Sequence, residues 1–459
     1  MQVSALLRTI RSVSFVAIIS VQVLAQGASR RPSNSAVNAA DFPGVDIGDK
    51  INAAVTATPA SGGLILVPAA PSCYDFSTEI KVLSKAIVLQ GSGPGTCLNF
   101  IATTGTAITF AGIASAAYVG QAFGAGIRDI TLQGTGTAND TVGLYLNGVA
   151  GFTAMNTNIM QFGTGITFGN NTFTLNWQGG SIRANNTNLI YNEGLMNSGE
   201  SLSFVNTSFS NGGQKDGTST GQNCVNILQG PYGQNVEMNF VNDSFDSCQV
   251  VIANDNAMQI RFINPHFEDD QSALDYPFVK QVSSVSYKGT DAEYVNPMFF
   301  VDAPTVTADS FIELNGSSHA NLQNPEMFGY GGTSTTPAFV RIQGKGTAML
   351  SLTGIPIGNN HTVGTPPFAA PPLFSTDSIN TPVIVQPPLT TSLSTNSSTE
   401  DVVRLVGMTA AGHCHVQPTN AAAARNVTST FVSNKSAGSL TITHPNVPGM
   451  TFDITCTSN

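Results

Sequence analysis

The sequence predicts an all-β protein: a right-handed parallel β-helix with an N-terminal cap helix, followed by a small C-terminal antiparallel β-sandwich. Three observations predict this fold, namely a recurring segment, apolar residues at fixed positions around it, and a residue type inside it that favours a bend. The segment reads SFVNTSF at residues 203–209 and returns as NFVNDSF, RFINPHF, EYVNPMF and NLQNPEM. Recurrence at a fixed period indicates a solenoid.

The Asn of the repeat defines a slot that can be followed through further copies at a mean spacing of about 28 residues. The slot residues are Asp129, Asn156, Gly179, Asn206, Asn242, Asn264, Asn296, Asn324 and Gly354. Apolar residues stand four and two positions before the slot and three positions after it, as Met238, Phe240 and Phe245 do around Asn242.

Alternation before the slot predicts a strand with one buried face. The step of three across the slot predicts a bend, because a straight strand would turn the second apolar residue outward. Asn and Gly tolerate the left-handed backbone that such a bend needs. Stacked Asn side chains can also hydrogen-bond from coil to coil.

A period of about 28 residues made of short strands suits a coil with three faces. At ~4.8 Å per coil, nine coils would make a rod about 43 Å long. The Leu-x-x-Leu-x-Leu frame of a leucine-rich repeat is absent from the sequence. A propeller would need a longer period and antiparallel blades.

The N-terminus predicts a secretory signal peptide over residues 1–25. Arg8 and Arg11 precede an apolar run at residues 13–24, which ends in Val-Leu-Ala at Ala25. A membrane anchor is the alternative, although the run is short and interrupted by polar residues. We therefore expect a secreted, extracellular protein with no membrane span after cleavage. Residues 26–40, small and polar, are expected to be flexible.

Six cysteines in a secreted chain predict disulfides. The sequence alone allows fifteen connectivities. Pairing of neighbours is favoured because each pair brackets one coil or one small domain. The predicted pairs are Cys73–Cys97, Cys224–Cys248 and Cys414–Cys456.

The charge balance argues against a nucleic-acid partner. Without Arg8 and Arg11 the chain has 16 basic and 28 acidic residues, a net charge of about −12. A polyanionic glycan would need Ca²⁺ to bridge the carboxylates, so Ca²⁺ is the one cofactor that the sequence suggests. Uncharged glycans fit better.

The β-helix is expected over residues 41–358. Asp46 can cap a short helix with Ile47, Ile51, Ala54 and Val55 on one face, which would cover the open end of the solenoid. Residues 359–399 contain seven Pro, many Ser and Thr, and one Asp, which predicts an extended linker or a strap along the rod. Residues 400–459 predict a β-sandwich with strands at 402–406, 427–432, 439–443 and 451–456.

The run DIGDKINAAV, then GGLILVPA, Tyr74 and KAIVLQGSGPGTCLNF, resembles the start of the pectate lyase superfamily domain with the rhamnogalacturonase/epimerase-like β-helix. The resemblance is specific over roughly residues 41–100, and beyond them it rests on the coil period. It implies a parallel β-helix. It also implies action on polysaccharides, although such folds host lyases, hydrolases, epimerases, phage spikes and proteins without known activity.

The motifs of known polysaccharide-cleaving relatives are largely missing. Of Asn-Thr-Asp, Asp-Asp, Gly-His-Gly and Arg-x-Lys, the sequence has only an Asp-Asp, at Asp269-Asp270, and its flanking residues differ. The Arg-x-Pro-x-x-Arg signature of a lyase is also missing. Hydrolysis still needs two carboxylates that face one groove.

The densest group of ionisable residues is His266, Glu268, Asp269 and Asp270, which we take as the candidate catalytic residues. Phe267 should point inward, so His266 and Glu268 should point outward together. Neighbouring coils bring Asp243, Asp246 and, approximately, Asp302 near them. Asp243, Asp246 and Lys280 are the candidate substrate-binding residues. The plainer interpretation is a solvated turn whose like charges prevent aggregation.

Other candidates have stronger structural explanations. Arg261, Lys280 and Lys288 could neutralise a uronate, but surface charge explains them as well. Trp177, the only Trp, occupies an apolar column and is expected in the core. Tyr191, Tyr232 and Tyr287 could line a groove or pack in loops. His413 and His415 flank Cys414, but a disulfide there would remove a thiolate ligand, so no metal site is predicted.

Two functions remain open from the sequence. One is an enzyme that cleaves an extracellular or cell-wall polysaccharide by lyase or hydrolase chemistry. The other is a non-catalytic adhesin or carbohydrate-binding rod. Either could be a homotrimer, as β-helix spikes often are.

Overall fold

The computed structural model describes residues 36–457, except 94, 113–121, 192–198, 214–219, 229–235, 254–258, 270–273, 284–289, 302–305, 329–337, 354–356, 360–373, 378, 381, 386–388, 405–412 and 437–438. Its main part is a parallel β-helix, so the fold predicted from the repeat and from the family resemblance is confirmed. The predicted signal peptide and the last slot residue, Gly354, lie outside the described residues. Among the described residues, no helix is both long and apolar enough to cross a membrane.

Each coil of the β-helix contributes strands to three parallel faces. Face 1 precedes the slot and contains Ala36–Asn38, Gly63–Val67, Ile87–Gly91, Ala122–Phe123, Gly126–Arg128, the first halves of Val149–Met160 and Phe173–Arg183, Leu202–Val205, Glu237–Val241, Gln259–Ile263, Asp291–Val295, His319–Gln323, Met349–Thr353 and Val383–Val385. Face 2 follows the slot and contains Tyr74–Phe76, Cys97–Phe100, Thr131–Gly134, the second halves of the same two long strands, Ser208–Ser210, Ser244–Asp246, His266–Asp269, Met298–Val301, Glu326–Phe328 and Ile357–Asn359.

Face 3 is an 11-stranded parallel sheet that closes each coil. Its strands are Ile80–Leu83, Thr104–Ala111, Asp140–Asn147, Thr164–Phe168, Thr187–Tyr191, Val225–Leu228, Val250–Ala253, Val279–Val282, Ser310–Asn315, Ala338–Gln343 and Phe374–Thr376. The rod is therefore longer than the nine coils predicted from the slot. At ~4.8 Å per rung, face 3 spans roughly 48 Å.

The slot residues form the predicted left-handed bends between face 1 and face 2. Their φ angles are between 47° and 67° at all eight slots that the structure describes. The Asn side chains form a ladder: Asn264 Nδ2 donates to Asn242 Oδ1 at 3.0 Å, Asn296 to Asn264 at 3.0 Å, and Asn324 to Asn296 at 3.2 Å. Left-handed residues five positions after the slot mark a second bend, from face 2 to face 3, which the sequence did not predict. These residues are Gln161, Ala184, Asn211 and Ser247.

The three predicted apolar columns fill the core. Phe204, Phe240, Phe262 and Tyr294 stack on one another with ring centroids 5.0 to 5.5 Å apart. A second stack runs through Phe209, Phe245, Phe267 and Phe299 at 5.0 to 5.3 Å. Trp177 heads the first stack and is fully buried, as expected. Offset aromatic pairs add roughly 0.5–1.5 kcal/mol each beyond the burial of their area.

The predicted cap helix is Ile47–Ala57, and it follows a 3-10 turn at Ala39–Asp41. Asp46 Oδ1 accepts from the Asp49 N–H, while Oδ2 accepts from the Ser77 N–H at 2.9 Å, which joins the helix to the first coil. At the other end, Lys85 Nζ donates to the carbonyls of Val55 and Thr58. A cation is favourable at a helix C-terminus, so both ends of the cap are held by side chains.

Two domain assignments need correction. Residues 36–40, expected to be flexible, form a strand paired with Gly63–Val67 and the start of the 3-10 turn. The expected linker at 359–399 contains a further coil, because Phe374–Thr376 and Val383–Val385 pair with faces 3 and 1. Asn380 holds this coil by donating to the carbonyls of Gly316 and Gly344, both at 2.9 Å. The composition of this segment suggested a linker because it does not reveal strand pairing. The pairing comes from the preceding coil, on which the segment stacks.

The C-terminal residues form two three-stranded antiparallel sheets. One contains Leu389–Ser394, Thr451–Thr457 and His413–Pro418, and the other contains Glu400–Arg404, Ser439–Thr443 and Phe431–Ser436. Side chains from both sheets share one core, which confirms a small sandwich. A helix at Ala421–Asn426 and a 3-10 turn at Val427–Ser429 replace the start of the predicted strand 427–432. The strand His413–Pro418 was not predicted.

The three disulfides are Cys73–Cys97, Cys224–Cys248 and Cys414–Cys456, the pairs expected from the sequence. The first two join neighbouring coils, and the third joins opposed residues on adjacent strands of the sandwich. Each therefore links segments that are already hydrogen-bonded or stacked.

The Asn ladder leads to a stability prediction. Asn264→Ala should lower the free energy of unfolding by about 1–3 kcal/mol, because it removes two amide hydrogen bonds and places a β-carbon in a left-handed bend. Asn264→Gly loses the same hydrogen bonds but tolerates the bend, so it should cost less than Ala. Urea unfolding of both variants measures the difference. An equal or larger cost for Gly would show that the bend is not strained for Ala.

Candidate functional site

The register fixes which side chains of faces 1 and 2 point away from the core. Apolar residues two and four positions before the slot point inward, so those three and five positions before it point outward. On face 1 this row brings Arg261 into register with Glu293, and Asp291 into register with His319. These four residues define the face 1 cluster. Most outward residues of the neighbouring coils are Ser, Asn, Gln or Thr, so the cluster is locally distinct.

Donors engage both oxygens of the Glu293 carboxylate. Arg261 Nε lies 3.4 Å from Glu293 Oε2, and Gln323 Nε2 donates to Glu293 Oε1 at 2.9 Å. The two oxygens are thus contacted from the coils on either side of the Glu293 coil. Glu293 is half-buried, with 36% of its side chain exposed.

Asp291 lies two residues from Glu293 on the same strand and on the same side. The Asp291 side chain reaches solvent, but partial loss of its hydration is the largest influence on its pKa and raises it above the ordinary value; His319 lowers the pKa, Glu293 raises it and Arg261 lowers it, each by less. The two carboxyls of the face 1 cluster thus differ in environment. Asp291 favours its protonated form more than an ordinary aspartate does, while Glu293 is surrounded by donors.

The predicted site on face 2 is present in part. His266 Nε2 lies 3.5 Å from Glu268 Oε2, and both side chains are about one-third exposed. Asp246 is in register with Glu268 on the preceding coil. Burial lowers the pKa of His266, and the nearby charge of Asp246 partly offsets this by raising it. The outward orientation predicted for His266 and Glu268 is thus confirmed, and we call these three residues the face 2 cluster.

Other residues of the predicted site point into the core. Asp269 is fully buried, and Tyr276 Oη donates to its Oδ2 at 2.5 Å. Alternation explains this placement, because Asp269 follows the outward-pointing Glu268. Asp270 and Asp302 lie outside the described residues. The catalytic role assigned to these residues stays a prediction.

Asp243 is also buried, with 1% of its surface exposed, and its carboxyl accepts a backbone hydrogen bond at the bend. Its Oδ1 accepts from the Thr207 N–H at 2.7 Å, and its Oδ2 has no hydrogen-bond partner among the described residues. Burial raises the pKa of Asp243 to about 8, although backbone hydrogen bonds from Thr207 and Val241 lower it. The residues that follow the slot Asn in the next two coils are Pro265 and Pro297. Proline has no backbone N–H, so these coils need no such acceptor. A direct contact of Asp243 with substrate is not supported by this placement.

The remaining candidates lie apart from both clusters. Lys280 is on face 3, where Nζ lies 3.5 Å from Glu313 Oε1. Tyr191 is buried, and Tyr232 and Lys288 lie outside the described residues, as does Tyr287. Within the described parts of the chain, no three His, Cys, Asp or Glu side chains are arranged to hold a metal ion. In the sandwich, Cys414 is in a disulfide and His444 contacts Asp401 at 3.0 Å.

The face 1 cluster was missed because charged residues were sought as runs along the sequence. Asp291, Glu293, Arg261 and His319 come from three coils and are far apart in the chain. The signal was nevertheless present: counting three and five positions back from Asn264, Asn296 and Asn324 finds all four. The repeat therefore predicts the rows of outward-pointing side chains as well as the buried apolar columns.

Comparison with known proteins finds similarity to solved structures but no match in sequence. No protein-family model matches it, and no curated protein matches it in sequence. Among solved structures, it is similar to ORF18 of Geobacillus virus E2, with 16% identity, a TM-score of 0.47, and coverage of 90% of this chain and 78% of that chain.

Two tailspikes show a comparable likeness. The enzymatically active domain of tailspike protein 4 of bacteriophage CBA120 has 12% identity and a TM-score of 0.47, over 93% of this chain and 69% of that chain. The gp54 tailspike of Acinetobacter baumannii bacteriophage AP22, solved in complex with A. baumannii capsular saccharide, has 11% identity and a TM-score of 0.41, over 92% and 95%. These values describe a distant likeness that carries no argument about the activity of this chain.

Asp243 leads to a prediction of pH-dependent stability. Its pKa in the folded protein, about 8, is above the value of 3.8 of an ordinary aspartate. Folding therefore retains a proton that the unfolded chain loses, and stability should fall as the pH rises from about 4 to 8, at up to about 1.4 kcal/mol per pH unit. Asp243→Asn keeps the acceptor for Thr207 and cannot ionise.

We expect Asp243→Asn to gain stability relative to the wild type across this pH range, and to gain no more above pH 8. Urea unfolding between pH 5 and pH 9 measures it. Asp140→Asn, on an exposed strand end, controls for the change in net charge. Parallel pH–stability curves for Asp243→Asn and wild type would contradict the prediction.

Proposed function

We propose that the protein is a secreted, polysaccharide-active β-helix that hydrolyses glycosidic bonds at the face 1 cluster. The observation that carries this proposal is the pair Asp291 and Glu293, two outward carboxyls on one strand in different environments. Glycoside hydrolysis requires one carboxyl that gives a proton to the leaving oxygen and another that acts as base or nucleophile. Different environments are how one site holds both forms.

The assignment of roles follows from these environments. Asp291, whose pKa is raised by burial, is the general acid. Glu293, with Arg261 and Gln323 on its two oxygens, is the general base that activates water. Residues two apart on a strand are about 6.6 Å apart along the backbone. If the two carboxyls keep the spacing of their backbones, they suit an inverting hydrolase, whose carboxyls are about 6.5–9.5 Å apart, better than a retaining one.

The surroundings of the pair favour an uncharged glycan. Asn239 lies in register with Arg261, and Asn321 lies in register with Glu293. Such amides donate to and accept from sugar hydroxyls. Arg261, the cation within the cluster, is already paired with Glu293, so the pair offers a uronate little net positive charge. The excess of acidic residues would also repel a polyanion.

The face 2 cluster is the competing location for the same chemistry. Asp246 and Glu268 belong to neighbouring rungs, so their backbones are ~4.8 Å apart. That spacing is closer to the ~5–5.5 Å of a retaining hydrolase. The stereochemistry of the product therefore distinguishes the two clusters independently of mutagenesis.

Secretion belongs to the same proposal. Three disulfides among the described residues are consistent with an oxidising compartment. Protein recovered from the culture medium should begin close after Ala25, as measured by N-terminal sequencing and intact mass. Retention of residues 1–25 would contradict the predicted signal peptide. The mass in solution tests the predicted homotrimer.

The activity prediction uses paired variants of the two clusters. Purified protein is screened, with and without Ca²⁺, on neutral glycans, pectins, rhamnogalacturonans and bacterial exopolysaccharides. On a substrate that is cleaved, Asp291→Asn and Glu293→Gln should each lower kcat by about 10²–10⁴-fold, because each removes acid or base catalysis. Asp246→Asn and Glu268→Gln are matched controls that should retain activity. NMR of the first product should show inversion.

Each other outcome has a defined meaning. Loss of activity in the face 2 variants, with retention of configuration, would place the reaction on face 2. An unsaturated product that absorbs ultraviolet light would indicate elimination instead of hydrolysis. Binding without turnover of any glycan would favour the non-catalytic rod.

A further inference from the structure

One buried amide breaks the apolar pattern of the core beneath the face 1 cluster. Gln281 lies on the face 3 strand Val279–Val282 and is fully buried. The residues in register with it on the coils to either side are all aliphatic: Ile227, Ile252, Leu314 and Ile342. A buried amide is unfavourable unless its hydrogen bonds are made, so packing alone would favour another aliphatic residue here.

The hydrogen bonds of Gln281 reach across the core to face 1. Its Nε2 donates to Thr290 Oγ1 at 3.0 Å and to the His319 carbonyl oxygen at 2.8 Å. Its Oε1 accepts from Tyr294 Oη at 3.1 Å. Tyr294 stands in the aromatic stack after Phe262, where a Phe would fill the same space. The hydroxyl and the amide are thus two polar groups placed against each other in a core that needs neither.

The two Nε2 hydrogen bonds of Gln281 reach residues next to the proposed acid, Asp291. Thr290 immediately precedes Asp291, and His319 is in register with Asp291 on the next coil. The His319 N–H also donates to the Thr290 carbonyl oxygen at 2.6 Å. A single side chain from face 3 therefore joins the two strands directly behind Asp291 and His319.

We propose that Gln281, through its two Nε2 hydrogen bonds, is a positioning residue that fixes Asp291 relative to His319. This inference rests on the proposed function of Asp291. The charged and titratable groups that act on Asp291 are His319, Glu293 and Arg261. Because their effects depend on distance and on burial, a fixed separation of the two strands also fixes the acidity of Asp291.

The test separates positioning from stability with a double variant. Gln281→Leu alone leaves the Tyr294 hydroxyl buried without its partner, which is destabilising. Combining it with Tyr294→Phe also removes the hydroxyl that would lose its partner, so the melting temperature should recover part of the loss seen for Gln281→Leu alone. We still expect kcat of the double variant to fall about 10–100-fold with KM little changed, because the acid is displaced while Asn239 and Asn321 are untouched.

Tyr294→Phe alone is the matched control. It leaves both Nε2 hydrogen bonds of Gln281 in place, so it should retain most of the wild-type kcat. A purely structural role for Gln281 predicts the reverse result: activity would recover together with stability in the double variant. Wild-type kcat, KM and pH–rate profile in a stable double variant would overturn the inference.

A second readout does not depend on turnover. Carboxyl NMR of protein with ¹³C-labelled aspartate, assigned with Asp291→Asn, follows the titration of Asp291 directly. We expect its midpoint to fall toward the ordinary value in the double variant, because looser strands admit water and burial is the largest cause of the raised pKa. If the wild type cleaves no glycan, the proposed function fails, and this titration alone decides the role of Gln281. An unchanged midpoint would refute it.

Discussion

The left-handed bend at the slot is the constraint on which the rest of the structure depends. With φ between 47° and 67° at the eight described slots, these coils turn from face 1 to face 2 at the same point. The side chain at this point cannot be large or β-branched without strain, while Asn tolerates the conformation and bonds to the Asn of the next coil. One residue type therefore fixes both the angle between the faces and the alignment of successive coils.

Because the bend is constant, the distance of a residue from the slot in sequence predicts whether its side chain points inward or outward. Once the slot is known, each neighbouring position is assigned to the core or to the surface, and the aromatic stacks follow; the cap helix and the favoured disulfide pairs were predicted separately, from Asp46 and from the spacing of the cysteines. The terminal coil at Phe374–Thr376 and Val383–Val385 did not follow, because its Pro, Ser and Thr composition is that of a linker. Its order comes from pairing with the preceding coil, which is a property of the stack and not of the segment.

The candidate site could be predicted only in part, for a related reason. Charge density along the sequence pointed to His266, Glu268 and Asp269, but alternation divides them between the surface and the core. The buried acids Asp243 and Asp269 interact with the Thr207 N–H and the Tyr276 hydroxyl, so they satisfy the needs of the fold. Asp291 and Glu293 meet Arg261 and His319 only when coils are stacked. Their proximity is a tertiary property, and their different environments depend on burial that no spacing reveals.

The position of the face 1 cluster on the rod has a mechanical basis. Strands hold side chains more rigidly than loops do, and catalysis requires groups held within fractions of an ångström. Face 1 carries Asp291 and Glu293 on a strand whose inward-pointing Tyr294 lies at the end of the stack that Trp177 heads. Phe would suffice for that stack, and Leu or Ile would suffice at Gln281. The amide that the core accepts there bonds to Thr290 and to the His319 carbonyl, so a buried polar contact lies directly behind the face 1 cluster.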